Sequence, residues 1–200
     1  LARYNFFSRI KTNWNYILDF GCGSGEGINY LAKKLDAKII GIDISLDILK
    51  YAKQQNKNSK VCLCCMSVLQ TGSPDEFFDG IISVEVIEHV YEVELFLSEV
   101  YRILRPGGVF MMTTPNRLLS SKTPGSLWPE HVREYSPGEL NDLMKRHFSN
   151  FQLFGEWIPV YESHWVRKAV RKIAPLIKPL LPHWLRIRAL PFLQFFIKPN

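Results

Sequence analysis

The 200-residue sequence has few cysteines, and they are badly spaced for metal. Cys22 stands alone, and Cys62, Cys64 and Cys65 crowd into KVCLCCMSV with no second half elsewhere. A thiolate zinc site needs paired ligands from two segments, so that class is excluded. The cluster instead suggests a buried strand with small apolar side chains, in a reducing compartment. No apolar run approaches the roughly 20 residues that span a bilayer. The first thirty residues lack the basic–apolar–small layout of a signal peptide. The chain opens on Leu1 rather than Met, which leads us to expect residues upstream of it. No internal repeat is evident. Acidic residues are absent after Glu162, where eight Lys/Arg follow. The net charge of +6 therefore belongs to the tail, with 17 basic against 19 acidic residues before it. A general nucleic-acid face on the main body is not favoured.

What is present is an alternation of strand-like and helix-like patterns. NYILDF (15–20), AKIIGID (37–43), KVCLCCM (60–66), DGIISV (79–84) and GVFMMTT (108–114) are apolar runs. Between them, EGINYLAKKL, SLDILKYAKQQ and VELFLSEVYRIL carry helical periodicity, the last stopped by RPGG. SPGELNDLMKRHF (136–148) reads as a capped helix, and FQLFGEWIPV (151–160) as a source of final strands. Strand–helix alternation with short connections predicts an α/β fold, a doubly wound, mostly parallel sheet with helices on both faces. Runs without strict alternation fit strands buried on both faces.

The first strand leads into DFGCGSGEG. A dinucleotide fingerprint needs glycines at relative positions one, three and six, but counting from Gly21 the sixth is Glu26, and from Gly23 it is Ile28. An acid at that helix start would also repel a pyrophosphate, so a nicotinamide or flavin site is disfavoured. ILDFGCGSGEG, the acid closing GIDIS, and LRPGGVFMMTTPN resemble the class I S-adenosylmethionine-dependent methyltransferases over roughly residues 16–148. The resemblance implies a seven-stranded sheet with the last strand antiparallel, and an enzyme with S-adenosylmethionine over the glycine turn. It assigns the turn to Gly21, Gly23 and Gly25, the amino-acid end of the cofactor to Asp19, and the ribose hydroxyls to Asp43. Ile44, Met66, Ser67 and Glu85 complete the expected cofactor contacts. Ser67 stands where many relatives carry an Asp for the adenine amine.

SVEVIEHV places Glu85, Glu88 and His89 at i, i+3 and i+4, on one face if a helical turn starts there. WPEHVREY adds His131 from the long connection. The Glu-x-x-Glu-His element is similar to that of the ubiquinone-biosynthesis O-methyltransferases and the small-RNA 3′-terminal 2′-O-methyltransferases. That likeness implies Glu85, Glu88, His89 and His131 as ligands of Mg²⁺ or Mn²⁺ that activates an acceptor hydroxyl. Without a metal, His89 or His131 becomes the general base. The expected reaction is O-methylation of a small-molecule or lipid-linked acceptor: a quinone precursor, a sugar or a phenol. An RNA 3′ end, or a non-catalytic cofactor-binding role in a complex, stays open.

These readings divide the chain into a methyltransferase domain over 1–162 and a basic, Pro- and aromatic-rich extension over 163–200. The apolar positions of SHWVRKAVRKIAPLI oppose its cations, which suits an anionic membrane surface, a cap on the site or a dimer contact. The expectation is a cytoplasmic chain with peripheral membrane attachment.

Overall fold

The structure is a computed structural model that describes residues 1–10, 13–120, 130–156 and the backbone of 192–197. Its centre is a sheet of β1 (Tyr16–Phe20), β2 (Lys38–Asp43), β3 (Val61–Cys65), β4 (Phe78–Val84), β5 (Leu104–Pro115), β6 (Phe151–Glu156) and β7 (Phe192–Ile197). The strand order is β3-β2-β1-β4-β5-β7-β6. The first five strands pair parallel, and β7 runs antiparallel to both β5 and β6. Order reverses between β1 and β4, so a ligand crevice is expected outside their carboxyl ends.

Successive residues of the central strands feed two separate cores. Leu18, Ile81, Phe110 and Met112 pack with Phe96, Leu97 and Val100 of α4 (Val93–Ile103) and Leu140 and Met144 of α6 (Pro137–His147). Ile17, Ile82, Val109 and Met111 pack on the other face. There they meet Tyr4 and Phe7 of α1 (Ala2–Phe7), Ile28 and Leu31 of α2 (Glu26–Lys34) and Leu49 of α3 (Leu46–Gln55). Burial on both faces is why these strands are apolar without alternation. Each fully buried side chain of this size contributes about 1.5–3 kcal/mol.

Local signals set the helix ends. Ser45 Oγ accepts the Ile48 N–H at the start of α3. Ser136 and Glu139 form a reciprocal capping box at the start of α6, with Pro137 in its first turn. Arg117–Ser120 is a short α5. No helix among the described residues is long and apolar enough to cross a membrane.

Three expectations change. The cysteine strand β3 is an edge strand, with Cys62 and Cys65 exposed and, among the described residues, only β2 beside it. RPGG does not follow the helix as a separate turn. α4 ends at Ile103, and the four residues lie inside β5 as an irregularity opposite Phe78–Gly80, where Gly107 takes φ +70°. The tail supplies β7 between β5 and β6, from a proline-free stretch with three Phe among six residues that suits a strand. The basic segment 163–177 with its opposed apolar positions, the boundary at 162/163 and residues 157–160 lie outside the described residues.

Candidate active site

The glycine turn is stitched to the end of β2. The N–H groups of Gly21 and Cys22 both donate to the Ile42 carbonyl, each at 2.9 Å. Gly23 N–H donates to Asp43 Oδ2 at 2.9 Å, and Ser45 N–H to Oδ1 at 2.9 Å. These bonds aim the half-buried carboxylate and leave a second lone pair on each oxygen. Gly21, Gly23 and Gly25 all lie at positive φ (+69°, +50° and +78°). At Gly21 a Cβ would also stand 2.5 Å from Val86 Cγ2, so the turn has no room for a side chain.

Above the turn lies a cleft of about 370 Å³. Gly21, Asp43, Ile44, Met66, Ser67, Glu85 and His89 line it, with Val86 and Val90–Glu92. Ile44 is 79% exposed and Met66 39% exposed, two apolar side chains on the wall of a mostly apolar cleft. Ser67 Oγ accepts the Leu69 N–H at 3.2 Å. Gly23, Gly25 and Asp19 do not reach the cleft wall.

Asp19 is instead fully buried beneath the turn, where the Tyr4 hydroxyl donates to its two oxygens at 3.0 and 3.2 Å. Burial pushes its carboxyl up to about 8; the Tyr4 hydrogen bond acts against that shift, and the charge of Asp43 adds to it. α1 thus closes the floor of the site, and Gly27 makes room for it: a Cβ there would come within 1.9 Å of the Tyr4 ring. The same helix brings Arg3 Nη1 to 3.2 Å from Glu85 Oε1. Arg3, Tyr4 and Val86 escaped the sequence reading. The one sequence signal for Tyr4 is the unneeded glycine inside α2.

Glu85 follows directly after β4 at φ +58°, a left-handed conformation that costs a non-glycine residue of order 1 kcal/mol. The chain therefore turns sharply before the 3₁₀ turn Ile87–His89. Glu85 consequently lies outside the turn that carries Glu88 and His89, and sits against Arg3 on the cleft wall. The group that the structure does gather is Glu88, His89 and His131, whose ligand atoms lie within 4.8 Å of one another.

Each member is held from behind. Thr114 Oγ1 donates to Glu88 Oε2 at 3.0 Å, and Glu88 Oε1 is buried without a hydrogen-bond partner among the described residues. Burial raises the Glu88 carboxyl to about 7. The Glu130 carbonyl lies 2.9 Å from His89 Nδ1, and Glu134 Oε1 lies 2.8 Å from His131 Nδ1. Both partners are acceptors, so both rings carry hydrogen on Nδ1 and present the Nε2 lone pair. The Glu88 carbonyl accepts N–H bonds from Val132 and Arg133 at 2.8 and 3.2 Å, which fasten the His131 segment to the 3₁₀ turn. A buried oxygen lacking a partner, beside two imidazoles of fixed tautomer, fits a divalent cation.

A second cleft of about 620 Å³ shares Val90, Tyr91 and Glu92 with the first. Leu95, Val132, Tyr135 and Leu143 give it an apolar lining, with Arg133 and Arg146 among its polar residues. Tyr91 is 80% exposed at the wall between the two.

Residues 18–112 match the family described as a methyltransferase domain. A probable S-adenosylmethionine-dependent methyltransferase of Mycolicibacterium smegmatis is 35% identical over 132 residues, covering 64% of this chain and 49% of that protein. A ubiquinone biosynthesis O-methyltransferase of Mesorhizobium japonicum is 32% identical over 123 residues, covering 60% of this chain and 49% of the relative. The chain thus spans about half the length of these curated relatives. Among solved structures, a SAM-dependent methyltransferase of Archaeoglobus fulgidus superposes with a TM-score of 0.72 at 21% identity, covering 98% of this chain and 91% of that one. That likeness establishes the α/β Rossmann-like fold.

Proposed function

Since this chain belongs to the class I S-adenosylmethionine-dependent methyltransferases, we propose that it transfers a methyl group to an oxygen of a small-molecule or lipid-linked acceptor. The observation that carries the oxygen assignment is the Glu88–His89–His131 group, which His89 joins to the wall of the cofactor cleft.

In this reading, Asp43 accepts both ribose hydroxyls through the lone pairs that Gly23 and Ser45 leave available. Ile44 and Met66 cover the faces of the adenine and become buried as it binds. Gly21 lets the methionine end pass close over the turn, whose floor Asp19 and Tyr4 hold rigid. The acceptor enters from the side of Val90–Glu92, and the adjoining cleft, lined by apolar and charged side chains in turn, takes the rest of a larger acceptor. The name of the Mesorhizobium relative supports an acceptor of the quinone-precursor kind.

Glu88, His89 and His131 are the residues that would hold a divalent cation. A carboxylate with two imidazoles favours Mn²⁺ over Mg²⁺, which prefers all-oxygen surroundings. When bound, such an ion lowers the pKa of an acceptor hydroxyl and orients it. Transfer itself is an in-line displacement: the oxygen–carbon bond forms as the carbon–sulfur bond breaks, and the acceptor's proton leaves to water. Alignment of oxygen, carbon and sulfur contributes up to roughly 7–11 kcal/mol in favourable intramolecular cases.

The test supplies methyl-labelled S-adenosylmethionine to the protein with fractionated lipid, small-molecule and RNA pools, with and without chelator. Label in the lipid or small-molecule pool, lost with chelator and restored by Mn²⁺, is the expected result. Label confined to RNA, or transfer that is indifferent to chelator and to Glu88→Gln, would overturn the reading.

A further inference from the structure

The PEHVREY stretch contains a second acid, Glu134, which backs His131 but takes no part in the transfer step above. Its side chain is only 1% exposed, and that of His131 8%. A carboxylate withdrawn this far from water costs several kcal/mol unless something compensates it. Its Oε1 faces His131 Nδ1 at 2.8 Å.

The path of the backbone does not depend on that contact. Val132 and Arg133 are tied to the Glu88 carbonyl, and the Tyr135 carbonyl accepts the Arg117 N–H at 3.0 Å. Tyr135 is buried and its backbone bridges to Asn116. The segment is thus anchored on both sides of Glu134, and the carboxylate acts on the ring of His131. The two imidazoles of the group are also backed differently, His89 by a neutral carbonyl and His131 by a carboxylate. A carboxylate behind the ring fixes its tautomer and raises the basicity of the nitrogen in front.

We propose that Glu134 is a positioning residue, holding His131 in the orientation and tautomer that present Nε2 to the cation site. This rests on the cation reading above. It assigns Glu134 no contact with acceptor or cofactor.

The experiment compares the wild-type chain, Glu134→Gln and Glu134→Ala by three measurements. Imidazole nitrogen NMR of the metal-free proteins reads the His131 tautomer. Titration with Mn²⁺ alone, followed by electron paramagnetic resonance, reads cation affinity. S-adenosylmethionine affinity reports whether the fold and the other half of the site survive. Glu134→Ala is expected to abolish the single Nδ1–H tautomer and to weaken Mn²⁺ binding by about 10–100-fold, with cofactor affinity unchanged. Glu134→Gln keeps a carbonyl acceptor in place, so it retains the tautomer and loses less affinity. If the wild-type chain binds no Mn²⁺, the cation reading and this proposal fail together. If it binds Mn²⁺ and both variants match it in affinity and tautomer, the proposal alone fails.

Discussion

Replacing Asp19 with Asn is expected to flatten the dependence of folding stability on pH across the acid-to-neutral range. Asp19 is fully buried and its carboxyl is raised from an ordinary 3.8 to about 8, chiefly by burial. Between those two values the native chain keeps a proton that the unfolded chain has released. Stability from this group is therefore complete below the lower value, falls as pH rises, and levels off above about 8. One extra bound proton corresponds to about 1.4 kcal/mol per pH unit, or about 3 kcal/mol from roughly pH 5 to 7. Asn is nearly isosteric with the protonated carboxyl and still accepts from Tyr4, so the variant lacks the titration but keeps the packing. Glu88, raised to about 7, contributes a slope of the same sign, but it does so in both proteins and cancels in their difference. Urea unfolding of both proteins at a series of pH values measures that difference. The variant should gain on the wild type steadily as pH rises. A difference independent of pH, or one that moves the other way, would refute the assignment of a buried, proton-holding carboxyl at this position.

Gly21→Ala adds a Cβ 2.5 Å from Val86 Cγ2 at a φ of +69°. It should cost about 1–3 kcal/mol in urea unfolding, with a larger proportional loss of cofactor binding, because the turn itself must move. Ser136→Ala removes one half of the capping box on α6 and should lower stability by about 1 kcal/mol, read from the same unfolding curves, while leaving cofactor affinity unchanged.

The parts of this molecule that were legible in the sequence are those whose logic is local. The glycine turn, Asp43 at the end of β2 and the Ser136 cap each act within a few residues of themselves, so residue type and spacing report them directly. The central strands were legible because burial on both faces leaves an apolar run. Contacts between distant segments were not. Tyr4 meets Asp19 and Arg3 meets Glu85 through tertiary packing, and nothing in the first ten residues marks them. An apolar run such as VCLCC does not reveal whether its strand is central or at the edge, and only the strand order exposes Cys62 and Cys65. The helical spacing of Glu85, Glu88 and His89 misled because the left-handed backbone at Glu85 turns it out of the group. β7 was obscured because 35 residues separate it from β6, its neighbour in the sheet.

Calorimetric titration of S-adenosylmethionine into the whole chain and into Asp43→Ala tests cofactor recognition most directly, with Asp43→Asn as a variant that keeps one acceptor oxygen. The wild-type chain should bind one equivalent. Hydrogen bonds to a charged group contribute about 1.5–3 kcal/mol, so Asp43→Ala should weaken binding at least about tenfold, with Asp43→Asn between the two. A wild-type chain that takes up no ligand, or an Asp43→Ala chain that binds as tightly as the wild type, would contradict the placement of the cofactor over the glycine turn.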